Sequence, residues 1–305
     1  MKIVRFEDAA GASKPGILTD AGVVDVSAVT ADLDAFHPQR LMEVLIDNFE
    51  QLRPGLEAAV AAGPALPLDS VKLRAPLPRP SKILCCIGNY WEHAQLERDP
   101  RNLNMFLKSP EAIIGPGDTV RLPAWTDPYT YQHEAELALV FRGPSKDVSQ
   151  ADWKSAVFGY TLMIDVSARE KARSTWRQGS WMGKSFDTFA PMGPCIVTAD
   201  EITEPNSIHI QFWNDGQLRH DYNTDDMEHR VPELVEFATG IMTMNSGDVL
   251  SCGTNHEGLG NLQDGETCVI QGEGIGSFSI TVSDPLKRKW ERGIYKGENT
   301  TYRGS

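Results

Sequence analysis

The chain has 305 residues, 41% hydrophobic and 23% charged, with a formal net charge of −13. That length excludes a disulfide-stapled miniprotein and suffices for one large globular unit or two unequal ones. The acidity repels phosphate backbones and anionic bilayers, so neither nucleic acid nor a membrane surface is expected as a partner.

Residues 1–74 read as a small N-terminal α/β domain. Ile3 to Phe6 has the pattern of a strand, and Gly16 to Asp25 that of a hairpin turning at Asp20-Ala21-Gly22. Leu41, Val44, Leu45, Phe49 and Leu52 recur at helical spacing, and Pro54-Gly55 should end that helix. The stretch Ala62 to Pro67, followed by Pro76, Pro78 and Pro80, reads as a linker. Residues 75–285 form the second expected domain. Its short β-like runs are Lys82–Ile87, Ala135–Phe141, Val157–Ile164, Cys195–Thr198, Ile208–Trp213, Val249–Cys252, Thr267–Gln271 and Gly276–Val282. Turn signals such as Asn214-Asp215-Gly216 separate them. Helical segments are expected only near 90–98, 151–157 and 231–243. Strands that do not alternate with helices exclude a doubly wound sheet and predict a β-rich α+β fold. Residues 286–305 read as a polar C-terminal tail.

No run approaches the roughly 18 apolar residues of a spanning helix. The first eight residues carry charge where a secretion signal is apolar. The five cysteines (Cys85, Cys86, Cys195, Cys252 and Cys268) are odd in number and lack Cys-x-x-Cys spacing. Reduced thiols in a cytoplasmic protein are the expectation.

Candidate chemistry concentrates in a few segments. In Tyr131 to Phe141, strand period places Glu134 and Glu136 on one face of a strand that looks buried on both sides. Two carboxylates about 7 Å apart repel by roughly 2 kcal/mol at an effective dielectric near 20. A bound cation removes that penalty; a solvated strand end is the alternative. Asp165 interrupts the apolar run Gly159 to Ala168. It is either a third ligand for a hard cation or a turn residue ending the strand. His93 and Glu97 stand at i and i+4 on a short helix expected to begin at Asn89. They form either a carboxylate-held general base or a surface pair. Lys184, in Gly183-Lys184-Ser185-Phe186-Asp187, has apolar neighbours that suit a buried charge-stabilising ammonium as well as a surface lysine. Ser251-Cys252-Gly253-Thr254-Asn255 follows a strand with small residues that admit an anion. Gly272-Glu273-Gly274-Ile275-Gly276 lacks the strand–helix context of a dinucleotide fingerprint. His-x-His, His-Glu-x-x-His and Gly-x-Ser-x-Gly patterns are absent from the sequence.

Taken in order, these segments resemble the fumarylacetoacetate hydrolase family across roughly residues 82–283. The matching pieces are Gly88-Asn89-Tyr90 with His93, Phe106-Leu107-Lys108, Ile114 to Asp118, and Glu134 to Leu137. They continue through Gly159 to Thr161, Asp165 to Arg169, Gly183 to Asp187, Gly247 to Val249 and Gly253-Thr254. The resemblance implies a mixed β-roll behind a small N-terminal domain, usually a homodimer. It implies Mg²⁺ or Mn²⁺, with Ca²⁺ as a further option, held by Glu134, Glu136 and Asp165. Lys184 would sit beside the metal, Thr254 with Gly253 at the substrate carboxylate, and His93 with its glutamate would activate water. Three departures stand out. Leu96 occupies the usual glutamate place and Glu97 follows it. Ile164 replaces the asparagine before the metal aspartate. Asn255-His256 replaces the proline after Gly253-Thr254, so His256 is a candidate to face the substrate.

The implied activity is metal-dependent hydrolysis of a carbon–carbon bond in a 1,3-dicarbonyl acid of acylpyruvate or fumarylacetoacetate type. A small keto acid is the expected substrate. The alternatives are a β-keto acid (oxaloacetate) decarboxylase or a tautomerase or lyase on the same site, and a metal-stabilised protein without catalysis.

Overall fold

The apolar runs become strands of two large sheets in the computed structural model, which describes residues 1–91, 99–126, 128–170 and 181–291. The main sheet runs in the order Gly22–Asp25, Ser13–Thr19, Lys2–Glu7, Ala190–Thr198, Val157–Ile164, Ala135–Phe141, Val249–Ser251, Ile83–Cys86, Met105–Lys108. Neighbours are antiparallel except Val249–Ser251 beside Ile83–Cys86. The strand Lys72–Arg74 also pairs with Lys2–Glu7, so the N-terminal strands continue the sheet that carries the acids. A second sheet orders Gln217–Asn223, His209–Asn214, Thr267–Gly272, Gly276–Ser283 and Thr119–Arg121. A two-stranded ribbon joins Ser167–Glu170 to Pro128–Gln132. The β-rich α+β reading holds.

The two central strands show why. Every residue of Ala135–Phe141 and of Val157–Ile164 is buried, as continuous apolar runs demand when both faces of a sheet are covered. Gly159 is required by proximity: a Cβ there would lie 2.2 Å from the Val197 carbonyl oxygen on the next strand. The hairpin at Asn214 to Gln217 closes through Asp215 and Gly216, both at positive φ, as an Asn-Asp-Gly turn favours. All five cysteines are buried and unbridged.

Two helical expectations need correction. The helix expected over Leu41 to Leu52 is two helices, Pro38–Asp47 and Phe49–Ala62, broken at Asn48. Pro54 lies inside the second. Proline there gives up one intrahelical bond to the preceding turn, and burial of Phe49 and Leu56 carries the helix past it. The helix expected near 90–98 does not begin at Asn89, because Tyr90 forms a β-bridge with Met227 and the Trp91 N–H donates to Asp226 O at 3.1 Å; the rest of that segment, 92–98, lies outside the described residues. The segment expected near 151–157 is a 3₁₀ helix, Gln150–Ser155, and that near 231–243 is the α-helix Val231–Ile241. Among the described residues no helix is long and apolar enough to cross a membrane.

Candidate metal centre

Antiparallel pairing of Ala135–Phe141 with Val157–Ile164 sets Ala135 opposite Ile164. This register brings Glu134 and Asp165, each one residue beyond its strand, to the same end of the ladder, where the Asp165 N–H donates to Glu134 O at 2.8 Å. Glu136 is the second residue of its own strand. One carboxylate oxygen from each of Glu134, Glu136 and Asp165 lies within 4.8 Å of the others, and all three residues are buried. At that spacing each pair repels by about 3 kcal/mol at an effective dielectric near 20.

Cations and hydrogen-bond donors offset part of this repulsion. Lys184 Nζ donates to Glu134 Oε2 at 2.8 Å and to Asp165 Oδ2 at 2.6 Å. Lys108 Nζ donates to Asp165 Oδ1 at 2.5 Å. Glu134 Oε1 accepts from Arg169 Nη2 at 2.7 Å and Ser167 Oγ at 2.9 Å. Glu136 Oε2 accepts from Ser251 Oγ and from the Gly253 N–H, the latter at 3.2 Å. Lys184 is buried, which overturns the surface-lysine alternative. Its ammonium stands 5.4 Å from the centroid of Phe106, whose ring stacks on Trp181.

The two glutamates titrate in opposite directions. Burial raises Glu134, but the charges of Lys184, Arg169 and His256 outweigh it and hold the group well below the usual carboxylate range. Burial also raises Glu136, and the negative charges of Asp165 and Glu134 push it further up. Burial lowers Lys184, yet Asp165 and Glu134 more than compensate and keep it an ammonium. Glu136 is thus the acid whose charged form is least compensated: the Lys184 charge and the Ser251 hydroxyl favour it but do not outweigh burial and its two acidic neighbours. A divalent cation fits that donor chemistry: hard, oxygen-seeking and able to reverse the penalty.

Two buried histidines, His133 and His220, form a hydrogen-bonded chain that ends on Asn255. His220 Nδ1 lies 3.1 Å from Asn255 O, an acceptor only, so Nδ1 carries the proton and Nε2 accepts. His133 Nδ1, 3.0 Å from that Nε2, must then be the donor. His133 Nε2 is left as a buried acceptor with no donor among the described residues. His133 stacks on Phe212 at 4.3 Å. Burial keeps both rings neutral, with His220 brought down to about 3 by burial and by the charge of His256. The relay holds Asn255, and Asn255 caps the 3₁₀ turn His256–Gly258. His256 is partly exposed there, and its charge acts on Glu134.

Of the expected site residues, Glu134, Glu136, Asp165 and Lys184 come together. Gly253, at φ 85°, directs its amide to Glu136. Thr254 is buried, with its hydroxyl on Asn255 O at 3.3 Å and beside the Tyr222 phenol. His93 and Glu97 lie outside the described residues. The chain on either side of them is anchored. Asn89 Nδ2 donates to the His229 and Cys252 carbonyls, each at 3.1 Å, and the Arg101 N–H donates to Glu228 Oε2 at 2.7 Å. Lys108, Ser167, Arg169 and Ser251 lie within segments that the sequence marks, but the sequence assigned none of them a role of its own. Lys108 had a signal: it alternates with buried Phe106 on the strand Met105–Lys108, which turns both side chains to one face.

The family model described as fumarylacetoacetate (FAA) hydrolase C-terminal matches residues 82–283. The crystal structure of a maleylpyruvate hydrolase from Sphingobium sp. SYK-6, in complex with manganese(II) ion and pyruvate, is similar with a TM-score of 0.81. It is 33% identical, covering 93% of this chain and 99% of that one. A 5-carboxymethyl-2-hydroxymuconate delta-isomerase from Mycobacterium smegmatis has a TM-score of 0.74 at 31% identity, covering 93% and 99%. An oxaloacetate tautomerase of Xenopus laevis, named as mitochondrial, is 33% identical over 260 residues, 83% of this chain and 79% of its own length. Hydrolysis, isomerisation and tautomerisation therefore all occur among relatives at similar distance. The chain belongs to the fumarylacetoacetate hydrolase family.

Proposed function

We propose that this protein is a divalent-metal-dependent hydrolase that cleaves a carbon–carbon bond in a 1,3-dicarbonyl acid of acylpyruvate type. The observation that carries the reading is the buried convergence of Glu134, Glu136 and Asp165 beside the Lys184 ammonium. A similar protein that bears the hydrolase name and was solved with manganese and pyruvate supports it.

In this reading Glu134, Glu136 and Asp165 hold Mg²⁺ or Mn²⁺. The ion, when bound, supplies Lewis-acid stabilisation for the charge that develops on the keto acid. Thr254, with room left by the missing side chain of Gly253, takes the substrate carboxylate. His93, oriented by Glu97, accepts a proton from water. The water oxygen bonds to the acyl carbonyl carbon distant from the carboxylate. The bond from that carbon to the central methylene then breaks, and its electron pair becomes the enolate of the 2-keto acid product. Lys184 helps hold that negative charge. The proton returns from His93 to the methylene carbon, leaving a carboxylic acid and a 2-keto acid. We take the working protein to be a cytoplasmic homodimer of two-domain chains divided near residue 75, which light scattering, cell fractionation and limited proteolysis test.

A second reading, keto–enol tautomerisation or decarboxylation of oxaloacetate, uses the same acids without the attacking water. The similarity to an oxaloacetate tautomerase favours it. The deciding experiment is a panel of acylpyruvates and oxaloacetate with Mg²⁺ or Mn²⁺, products identified by mass. Hydrolysis gives two acids with water added. Isomerised or decarboxylated products alone would overturn the hydrolase assignment.

A further inference from the structure

Gln132 ends the strand Pro128–Gln132, two residues before Glu134, and the two side chains share Arg169. Arg169 Nε donates to Gln132 Oε1 at 3.1 Å, and Arg169 Nη2 donates to Glu134 Oε1 at 2.7 Å. The guanidinium has no acceptor atom, so it fixes which end of the Gln132 amide is oxygen and makes Nε2 the donor end. Gln132 is fully buried, and its Nε2 has no acceptor among the described residues. A donor shut away from bulk water and left unbonded is costly, and an oxygen atom brought in by a ligand removes that cost. The amide stands one guanidinium away from the Glu134 carboxylate.

We propose that Gln132 is a substrate-binding residue whose Nε2 donates to a second carboxylate on the acyl arm, so that the protein takes acylpyruvates that are diacids. The inference rests on the proposed function and narrows its substrate class. The acids have two flanks. Glu136 is held by Ser251 and the Gly253 amide, beside Thr254 in sequence, and Glu134 by Ser167 and Arg169, beside Gln132. A keto acid with its carboxylate at Thr254 extends its acyl arm away from that flank, toward Glu134 and Gln132. Charge points the same way. The side chains of Lys108, Lys184 and Arg169 match Glu134, Glu136 and Asp165 one for one, so a divalent ion leaves the centre two charges positive. The keto acid's own carboxylate offsets one of them, and a second carboxylate offsets the other; buried charge persists where it is paired.

The test is isothermal titration of keto acids into the full chain with Mg²⁺, a binding readout that needs no turnover. The probes are pyruvate, 2-oxoadipate and 2-oxopimelate, each diacid beside an isostere whose distal carboxylate is replaced by an isopropyl group. The tighter diacid should bind about tenfold better than its isostere. Gln132→Leu should weaken that diacid about tenfold and leave the isostere and pyruvate unchanged. Equal affinity of diacids and isosteres in the unaltered protein overturns the proposal. So does a folded Gln132→Leu protein that keeps the full preference, or one that loses pyruvate as well. If circular dichroism shows that Gln132→Leu does not fold, Gln132→Met takes its place; if neither folds, the comparison in the unaltered protein decides alone. Failure of pyruvate and every other keto acid to bind is a distinct result: it overturns the proposed function beneath this inference.

Discussion

Lys108 Nζ donates to Asp165 Oδ1 at 2.5 Å across 57 positions of sequence, and neither side chain is more than 1% exposed. A buried pair of this kind is weak evidence for stability, but removing one partner leaves a charge out of water. Lys184 still compensates Asp165, so Lys108→Met should cost about 2 kcal/mol in the metal-free protein, below the usual range for an orphaned buried charge. Urea unfolding measures this. Added Mn²⁺ should stabilise the variant more than the parent, since one opposing positive charge is gone. Equal midpoints with and without Lys108, in both conditions, would contradict this account.

Alanine at Glu134, Glu136 or Asp165 should abolish turnover and metal binding together. Glu136→Gln separates charge from shape. The Glu136 carboxyl is pushed up by burial and by its acidic neighbours, so the amide should leave metal-free stability unchanged or higher while losing the metal response. Saturation at about a hundred times the dissociation constant should add roughly 3 kcal/mol to the parent's stability and almost nothing to the variant's. Full activity after exhaustive chelation would falsify the metal assignment.

His220 sets a pH limit on stability. Its folded value, about 3, lies below the ordinary 6.5 because burial and the charge of His256 disfavour the imidazolium. Between these values the unfolded chain binds a proton that the native state does not. The contribution is therefore fully present above about pH 6.5 and is lost as pH falls toward about 3, at roughly 1 kcal/mol per pH unit. His220→Gln, whose amide can still donate to Asn255 O, should flatten that slope. Denaturation midpoints at several pH values from 7 down to 4 read it directly, and an unaltered slope rules out His220 as the source.

His93→Ala distinguishes the two activities. Hydrolysis should fall by about a hundredfold or more, as loss of a general base does, while enolisation or decarboxylation of oxaloacetate continues. Thr254→Ala should act differently, raising KM about tenfold through one lost hydrogen bond to the substrate carboxylate. Steady-state kinetics on both substrates shows the split. Loss of every activity in His93→Ala would remove the water-specific role.

Much of the fold was legible because its strands are written locally. Ala135–Phe141 and Val157–Ile164 run apolar from end to end, and Asn214-Asp215-Gly216 announces its turn. The three acids were also legible, since carboxylates in otherwise apolar strands call for a partner. The break at Asn48 was not, because apolar spacing continues through it and only packing decides which turn opens. Lys108, Ser167, Arg169 and Ser251 were invisible as a shell. They reach the acids from 57, 33, 35 and 115 positions away, through pairings of different strands.

Local pattern alone was enough to specify strands, turns and which side chains carry charge into the core. Tertiary structure alone decided which oxygens of Glu134 and Asp165 meet Lys184 and which turn to Arg169, Ser167 and Lys108. The reason is register: side chains alternate along a strand, so a slip of one residue between the Ala135–Phe141 and Val157–Ile164 partners would send Glu136 to the other face. That choice is made by packing summed over the whole sheet, which no single segment encodes.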